Sequence, residues 1–373
     1  ALLLDSVSRR MVSDVPLGVM LSGGLDSSLI VAAAAKVSAE PVKTFTISLP
    51  GSSLDEAGYA RCIAEYFKTE HHVLEAASPS LAIVDDLAPF IDEPIADSSL
   101  LPSFMVSRLT RQYVTVALGG DGGDELFGGY LDYPTSLADQ SRFGWLPKRS
   151  LEVLARLSAT LPAGVRGRNR LASLAGGPLQ QMIWGTPYFD VALRKRLLGD
   201  VASCELSSPE ELLLDLFNHG NDPVDAMTRC HFGSILPGDF LVKVDRTSMA
   251  NSLEMRTPFL DYRLIEFAFS SIPSRWKVHN GETRRIQRIL AGRMLPADLD
   301  INRKQGFSIP LDQWLRADNC EKVREYLDFL PSCISRVEVN KLIEGEMKGR
   351  ANGSRLFALI MLGIAMKNNG WVS

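Results

Sequence analysis

The sequence predicts an α/β protein: a parallel twisted sheet with helices on both faces, followed by a mainly helical C-terminal part. Two observations support this. Short runs of apolar and β-branched residues alternate with helical patterns up to about residue 134, as in right-handed βαβ units. From about residue 135 this alternation stops, and the remaining chain has helical patterns punctuated by glycine and proline.

The predicted elements follow one another in a regular order. The predicted strands lie at 15–21, 43–49, 72–74 and 114–118. The predicted helices of this region lie at 2–13, 29–37, 55–67, 79–91 and 100–112. Ligands of parallel sheets bind at the carboxyl ends of the strands. The loops after residues 21, 49 and 118 should therefore converge.

Composition excludes several classes of protein. The 373 residues are 46% hydrophobic and 23% charged, which is typical of a globular protein. A net charge of −4 gives no basis for binding nucleic acid. The apolar run Leu356 to Met366 is too short for a bilayer, which requires about 20 residues, and predicts a buried helix instead of a membrane span. Five cysteines without a C-x-x-C pair indicate reduced thiols and a cytoplasmic protein.

The loop Leu21 to Ser28 is the most informative stretch, because it joins a buried strand to a helix. Gly23 and Gly24 let backbone N–H groups approach a ligand, and three serines add hydroxyl donors. The helix start adds free N–H groups and the positive end of its dipole, which suits a phosphate or pyrophosphate. The spacing is not that of a P-loop. The alternative is a plain turn in which Asp26 caps the helix.

The stretch Gly119 to Tyr130 places six glycines and three carboxylates directly after the strand at 114–118. Carboxylates can hold Mg²⁺, and one of them could instead act as an acid or base. The alternative is a flexible acidic turn. The position of the stretch at the carboxyl end of a strand favours a functional role.

Two later stretches carry charges in informative positions. The first is the apolar helical run that begins at Leu241. There Lys243 and Asp245 could be functional or structural, whereas Glu254, Arg256 and Asp261 are predicted to form ion pairs within a helix pair. The second is Arg303 to Pro310, in which Lys304 could neutralise charge on a triphosphate.

The loop Leu21 to Ser28 resembles the S-G-G-x-D-S-S loop of the ATP pyrophosphatases, which have an adenine nucleotide alpha hydrolase-like fold. Taken together and in order, the stretches resemble the C-terminal synthetase domain of class B, glutamine-hydrolysing asparagine synthetases. The resemblance covers nearly the whole chain. Its most specific pieces are Val15–Ser28, Asp92–Pro94, Ala96–Ser99, Gly120–Tyr130, Lys243–Arg246, Arg256–Asp261 and Arg303–Phe307.

The resemblance implies a reaction and its cofactors, ATP and Mg²⁺. ATP adenylates a carboxylate, above all L-aspartate, and releases pyrophosphate; ammonia then attacks the acyl-adenylate to give an amide and AMP. The implied ATP and pyrophosphate ligands are Leu21, Ser22, Gly23, Gly24, Asp26, Ser27, Ser28, Ile47, Gly120 and Lys243. The implied catalytic residues are Asp121, at a position where the family often has Glu, and Lys304. The implied metal ligands are Asp26 and Asp124, and the implied acceptor pocket contains Asp97, Ser98 and Asp245.

The resemblance also implies a domain organisation and partners. Residues 1–14 are predicted to be a linker helix from a glutaminase domain that is missing from this chain, and 15–373 the synthetase domain. Within that domain, 15–134 form the nucleotide-binding core, and 135–373 form a helical part that contributes to the cleft. The expected partners are a small carboxylate, ammonia, a glutaminase domain in cis or in trans, and a second copy of the chain in a homodimer. Nucleic acid and membranes are not expected partners.

Three alternatives to aspartate amidation stay open at this point. Relatives amidate sugar acids for surface polysaccharides, and others close rings by using an internal amine. Asp121 and the stretch Lys304 to Phe307 favour amidation over ring closure. The third alternative is a catalytically inactive nucleotide-binding scaffold, against which the intact loop Ser22–Ser28, Asp124 and Lys304 argue.

Overall fold

The computed structural model of the chain describes residues 1–48, 55–75, 80–174, 188–199, 209–297, 299–300, 309–317 and 319–371. The chain forms two compact units. The sheet unit comprises Ala1–Pro79, Ser99–Tyr130 and His231–Ile309. The helical unit comprises Ser80–Ser98, Leu131–Cys230 and Pro310–Ser373. The division therefore differs from the predicted boundary at 134/135, because one late segment packs with the sheet and one early segment with the helices.

The sheet unit is built on five parallel strands. They are β1 (Leu17–Met20), β2 (Lys43–Ser48), β3 (Glu70–Glu75), β4 (Val116–Leu118) and β5 (Glu254–Arg256). Their order across the sheet is β3-β2-β1-β4-β5. Val19 of β1 pairs with Thr44 of β2 on one side and with Leu118 of β4 on the other. The chain thus moves outward from β1 in both directions, which makes the carboxyl ends of β1 and β4 a topological switch point.

Helices flank this sheet. The helices of the sheet unit are α1 (Leu2–Arg10), α2 (Leu25–Val37), α3 (Ala57–Phe67), α5 (Leu100–Thr110), α6 (Gly123–Phe127), α13 (Leu241–Met249), α14 (Tyr262–Ser270), α15 (Ser274–Lys277) and α16 (Arg285–Met294). The remaining helices are α4 (Ile83–Leu87), α7 (Asp132–Phe143), α8 (Lys148–Thr160), α9 (Arg168–Ser173), α10 (Val191–Leu198), α11 (Pro209–Asn218), α12 (Pro223–Gly233), α17 (Leu311–Ala317), α18 (Glu321–Leu327), α19 (Arg336–Met347) and α20 (Gly353–Asn368). Short helical turns lie at Ala88–Phe90, Leu236–Phe240 and Pro258–Leu260.

Two apolar clusters cover opposite faces of the sheet. Val19 belongs to a cluster with Leu29 of α2. Its neighbour Met20 packs against a second cluster, which contains Phe45 of β2 and contacts Leu109 of α5. Successive residues of a strand point to opposite faces, so the two clusters lie on the two sides. The predicted fold class, a parallel sheet with helices on both faces and a helical C-terminal part, is confirmed.

The prediction of a continuous helical run beyond residue 241 was wrong at 254–256, which form β5. Glu254 N–H donates to the Thr115 carbonyl at 2.9 Å, and Gly119 N–H donates to the Arg256 carbonyl at 2.8 Å. Backbone pairing with β4 therefore decides the conformation of this short charged segment. The predicted ion pair between these two residues is present, because Arg256 Nε lies 2.7 Å from Glu254 Oε1. Both residues lie on a strand and not on a helix.

The apolar run in the C-terminal part forms a buried helix, as predicted. Leu356, Phe357 and Ile360 of α20 are fully buried. In the described part of the chain, no helix has the length and apolar character needed to cross a membrane.

Replacing Leu29 in the centre of α2 with alanine should lower the free energy of unfolding by about 2–5 kcal/mol, because the side chain is fully buried and its removal leaves a cavity. Urea denaturation of the wild-type and Leu29→Ala proteins measures this. Val37→Ala removes a half-exposed side chain from the same helix and should cost less than about 1 kcal/mol. Equal losses of unfolding free energy in the two variants would contradict the burial of Leu29 in the core.

Candidate active site

The loop after β1 leads directly into α2. Gly24 is the residue before the helix, which begins at Leu25, four residues earlier than predicted. Asp26, Ser27 and Ser28 therefore lie in the first turn of α2, and Asp26 is not the capping residue. This corrects the prediction of a helix beginning behind Asp26–Ser28. The correction places the aspartate and both serines at the positive end of the helix dipole.

Hydroxyl groups hold the loop in shape. Ser22 Oγ lies 3.0 Å from Ser27 Oγ and accepts a hydrogen bond from Gly24 N–H at 3.3 Å. Ser27 Oγ also donates to the Gly24 carbonyl at 3.1 Å. Ser28 Oγ is buried and has no hydrogen-bond partner among the described residues. A buried hydroxyl without a partner beside helix N–H groups fits the binding of a phosphate oxygen.

Gly23 is required by both backbone and space. Its φ is +74°, in the left-handed region that residues with a Cβ rarely adopt. A Cβ at this position would lie 2.6 Å from Tyr59 Cβ and 2.8 Å from Ala60 N. The loop can therefore pass close to α3 only with glycine here.

The loop after β4 lies against the loop after β1. A Cβ on Gly120 would lie 3.2 Å from both Asp26 Cβ and Ser27 N. A Cβ on Gly123, the first residue of α6, would lie 2.7 Å from Asp26 Cγ. The two glycine-rich stretches thus meet at the carboxyl ends of β1 and β4, as expected for those two loops. The third predicted loop, which begins at residue 49, lies outside the described residues.

Asp26 and Asp124 share one cationic partner that sequence analysis did not identify. Arg284 Nη1 lies 3.1 Å from Asp26 Oδ2 and 3.2 Å from Asp124 Oδ1. Gln287 Nε2 donates to Asp26 Oδ1 at 2.7 Å. Arg284 precedes α16 and Gln287 lies within it, far along the chain from both loops, so no local sequence pattern connects them to these carboxylates.

Asp26 and Asp124 suit a divalent metal ion whose other ligands would be phosphate oxygens and water. Among the described residues, no group of three or more His, Cys, Asp or Glu side chains could hold a metal ion. Mg²⁺ is commonly bound by one or two carboxylates together with substrate phosphates and water. Asp26 and Asp124 converge on one point and provide this smaller donor set, so their role as metal ligands stays a prediction that the geometry allows.

Asp121 lies in the same loop as Gly120, and burial raises the pKa of its carboxyl group. Lys243 opposes this rise in pKa, and Asp124 adds to it. Lys243 of α13 is buried; its Nζ donates to Ser99 Oγ at 2.6 Å and lies 4.6 Å from the centroid of the Phe240 ring. The positive charge of Lys243 therefore acts to lower the pKa of Asp121. A contact between Lys243 and pyrophosphate stays a prediction.

A buried polar cluster behind the loop was also not predicted. Glu125 of α6 is 2% exposed and accepts a hydrogen bond from the Tyr130 hydroxyl. Burial raises the pKa of Glu125 to about 7. The Tyr130 ring packs edge-on against His231, whose pKa burial lowers to about 4. Glu125 and Tyr130 lie within the second glycine-rich stretch, Gly119 to Tyr130. The sequence pattern identified this stretch but not the buried hydrogen bond between the two residues.

The other predicted site residues are placed as follows. Leu21 and Ile47 are buried at the carboxyl ends of β1 and β2, and Asp245 is exposed on α13. Asp97 and Ser98 belong to the helical unit. Their roles stay predictions. Lys304 lies outside the described residues, as does most of the stretch Arg303–Pro310.

Comparison with known proteins agrees with this arrangement. The sequence matches the family described as asparagine synthase over residues 1–366. The chain belongs to the asparagine synthase family. The resemblance found by sequence analysis is confirmed.

Individual relatives are similar over most of the chain. A Mycobacterium tuberculosis (strain H37Rv) protein named "putative asparagine synthetase (glutamine-hydrolyzing)" is 35% identical over 325 residues, covering 85% of this chain and 48% of the relative. Glutamine-hydrolyzing asparagine synthetase 1 of Bacillus subtilis strain 168 is 32% identical over 368 residues, covering 96% and 57%. The chain therefore spans about half the length of these relatives.

Gly23→Ala should lower stability by about 1–3 kcal/mol, because the methyl group meets Tyr59 and the left-handed backbone disfavours it. Thermal unfolding measures the effect. Gly58→Ala on α3 is the control, since a Cβ there meets nothing within 4 Å. A Gly23→Ala protein as stable as the control would contradict the left-handed backbone and the close contact with Tyr59 at this position.

His231 should make the protein less stable in acid. As pH falls from 6.5 towards 4, the unfolded chain binds a proton at this imidazole before the folded protein does. Folding stability is therefore lost across this window, by about 3 kcal/mol in total. Urea denaturation at about pH 7 and about pH 4 should show a smaller loss in His231→Gln than in wild type. His279→Gln changes an exposed histidine and should behave like wild type; equal losses in all three proteins would exclude this effect.

Proposed function

We propose that this chain is the synthetase part of an ATP-dependent, amide-forming ligase that adenylates the side-chain carboxylate of L-aspartate and transfers ammonia to it. The observation that supports this most directly is the contact between the two glycine-rich loops. Gly120 lies against Asp26 and Ser27, so a phosphate-binding helix start and a carboxylate-rich loop form one site in the sheet unit. Membership of the asparagine synthase family supports the same reaction.

The loop residues would bind the leaving pyrophosphate. Ser22, Ser27 and Ser28 offer hydroxyl groups at the start of α2, and Gly23 lets the backbone turn without a side chain in the way. Mg²⁺, held by Asp26 and Asp124 when bound, would supply charge neutralisation on the phosphates. Leu21 and Ile47 would flank the adenine, Gly120 would contact the nucleotide, and Lys243 would complete the nucleotide site.

The acyl-transfer step would use groups near the same loop. A carboxylate is a poor electrophile, and linking it to AMP provides a good leaving group. Burial makes the Asp121 carboxylate a stronger base, which suits accepting a proton from the attacking ammonia. Lys304 would stabilise the charge that develops on the phosphates during adenylation. Asp245 would contribute to the acceptor pocket.

Ammonia would come from a glutaminase domain, either in the same protein or in a partner. The matched relatives are named as glutamine-hydrolyzing, and this chain spans about half their length. Ammonium salt can replace that source in an assay of this chain.

The acceptor is tested by carboxylate-dependent exchange of labelled pyrophosphate into ATP. The assay compares L-aspartate with a panel of uronic acids and nucleotide sugars, and a parallel assay measures amide formation with ammonium salt. Exchange that requires aspartate, together with asparagine formation, is expected. Exchange only with a sugar acid would replace aspartate as the acceptor. ATP binding without exchange on any acceptor, also after a glutaminase partner is added, would favour a nucleotide-binding scaffold.

Asp26→Asn and Asp124→Asn should each reduce Mg²⁺-dependent ATP turnover by at least about 100-fold, because each removes a charged oxygen ligand at the phosphates. Steady-state pyrophosphate release measures this. Glu254→Gln is the control: it removes a carboxylate that is 55% exposed on β5, and activity should not change. Near-normal turnover in both aspartate variants would disprove the metal assignment.

A further inference from the structure

Arg284 occupies an unusual position for a buried arginine. It is 2% exposed, and its φ of 54° places the backbone in the left-handed region immediately before α16. A single atom, Nη1, reaches one oxygen of Asp26 and one oxygen of Asp124. Nε of the same guanidinium is buried and has no hydrogen-bond partner among the described residues.

Gln287 completes this arrangement from one turn further along. Its Nε2 donates to the second oxygen of Asp26. Its Oε1 is buried and, within the described ranges, has no hydrogen-bond partner. Each oxygen of Asp26 thus has a separate donor, and the Asp26 carboxylate is fixed in one orientation. Asp124 contacts the guanidinium of Arg284.

A divalent cation held by Asp26 and Asp124 would compete with Nη1 for their oxygens. Nη1 lies 3.1 Å from an oxygen of Asp26 and 3.2 Å from an oxygen of Asp124, so it occupies the space between the two carboxylates that would hold the ion. Two cationic groups cannot share one point between the carboxylates without strong repulsion, particularly where the guanidinium is buried. The guanidinium must therefore withdraw before a metal can bridge them.

We propose that Arg284 is a positioning residue that acts as an internal counter-ion: its guanidinium orients Asp26 and holds one positive charge between Asp26 and Asp124 until a divalent cation replaces it. This inference rests on the proposed metal role of the two aspartates. It has a functional consequence. Because the bridged form competes with the ion, a divalent cation binds poorly alone and well when it arrives with the charge of a triphosphate.

The test measures Mn²⁺ binding to the protein without nucleotide. The electron paramagnetic resonance signal of free Mn²⁺ reports how much of the ion stays unbound. Arg284→Gln should bind Mn²⁺ at least about tenfold more tightly than wild type, because the competing charge is gone. Arg284→Lys keeps a positive charge and should stay close to wild type. Arg285→Gln is the matched control: it removes a charge from the next residue, whose Nε lies 3.1 Å from Glu282.

Several outcomes would overturn the inference. Unchanged Mn²⁺ affinity in a folded Arg284→Gln protein would make Arg284 purely structural. Equal tightening in Arg284→Gln and Arg285→Gln would show a general charge effect. Should Arg284→Gln not fold, nuclear magnetic resonance of wild type labelled with ¹⁵N-arginine decides: the Arg284 Nε signal, assigned with Arg284→Lys, should shift when Mg²⁺ and ATP bind. A fixed signal at saturation would exclude displacement.

The failure of this inference can be distinguished from failure of the proposed function. Loss of pyrophosphate exchange in Asp26→Asn and Asp124→Asn, with no gain of Mn²⁺ affinity in Arg284→Gln, would overturn the role of Arg284 alone. Normal exchange in both aspartate variants would overturn the metal assignment on which it rests.

Discussion

The close contact of two backbones at the carboxyl ends of β1 and β4 is the constraint on which the site depends. Gly120 approaches Asp26 and Ser27 so closely that a Cβ would lie 3.2 Å from each. Adjacent parallel strands bring these loops to the same edge, and glycine allows them to touch. The first turn of α2 and the acidic start of α6 consequently belong to one site and not to two separate turns.

This contact creates an electrostatic problem, because it gathers carboxylates in a partly buried place. Asp121 and Glu125 respond with raised pKa values, mainly through burial. Asp26 and Asp124 instead share the single positive charge of Arg284. A buried carboxylate needs one of these solutions, since burial disfavours its charged form. The site uses both.

The late segment His231–Ile309 supplies what the early strands lack. It contributes β5 at the edge of the sheet, Lys243 near Asp121, and Arg284 with Gln287 at Asp26. Each of these contacts joins residues more than 100 positions apart. A division of the chain by sequence order alone assigns this segment to the helical part, although it packs with the sheet and completes its charged site.

The sequence by itself determined the fold class, four of the five strands of the sheet, the two glycine-rich loops and the family. These features depend on local patterns: apolar runs, helical periodicity, and glycines placed directly after strands. Only the tertiary structure decided the strand at Glu254–Arg256, the early start of α2, the buried pair of Glu125 and Tyr130, and the bridge from Arg284 to two aspartates. The physical reason is that these features arise from backbone pairing and from charges brought together across long stretches of chain, which no local pattern records.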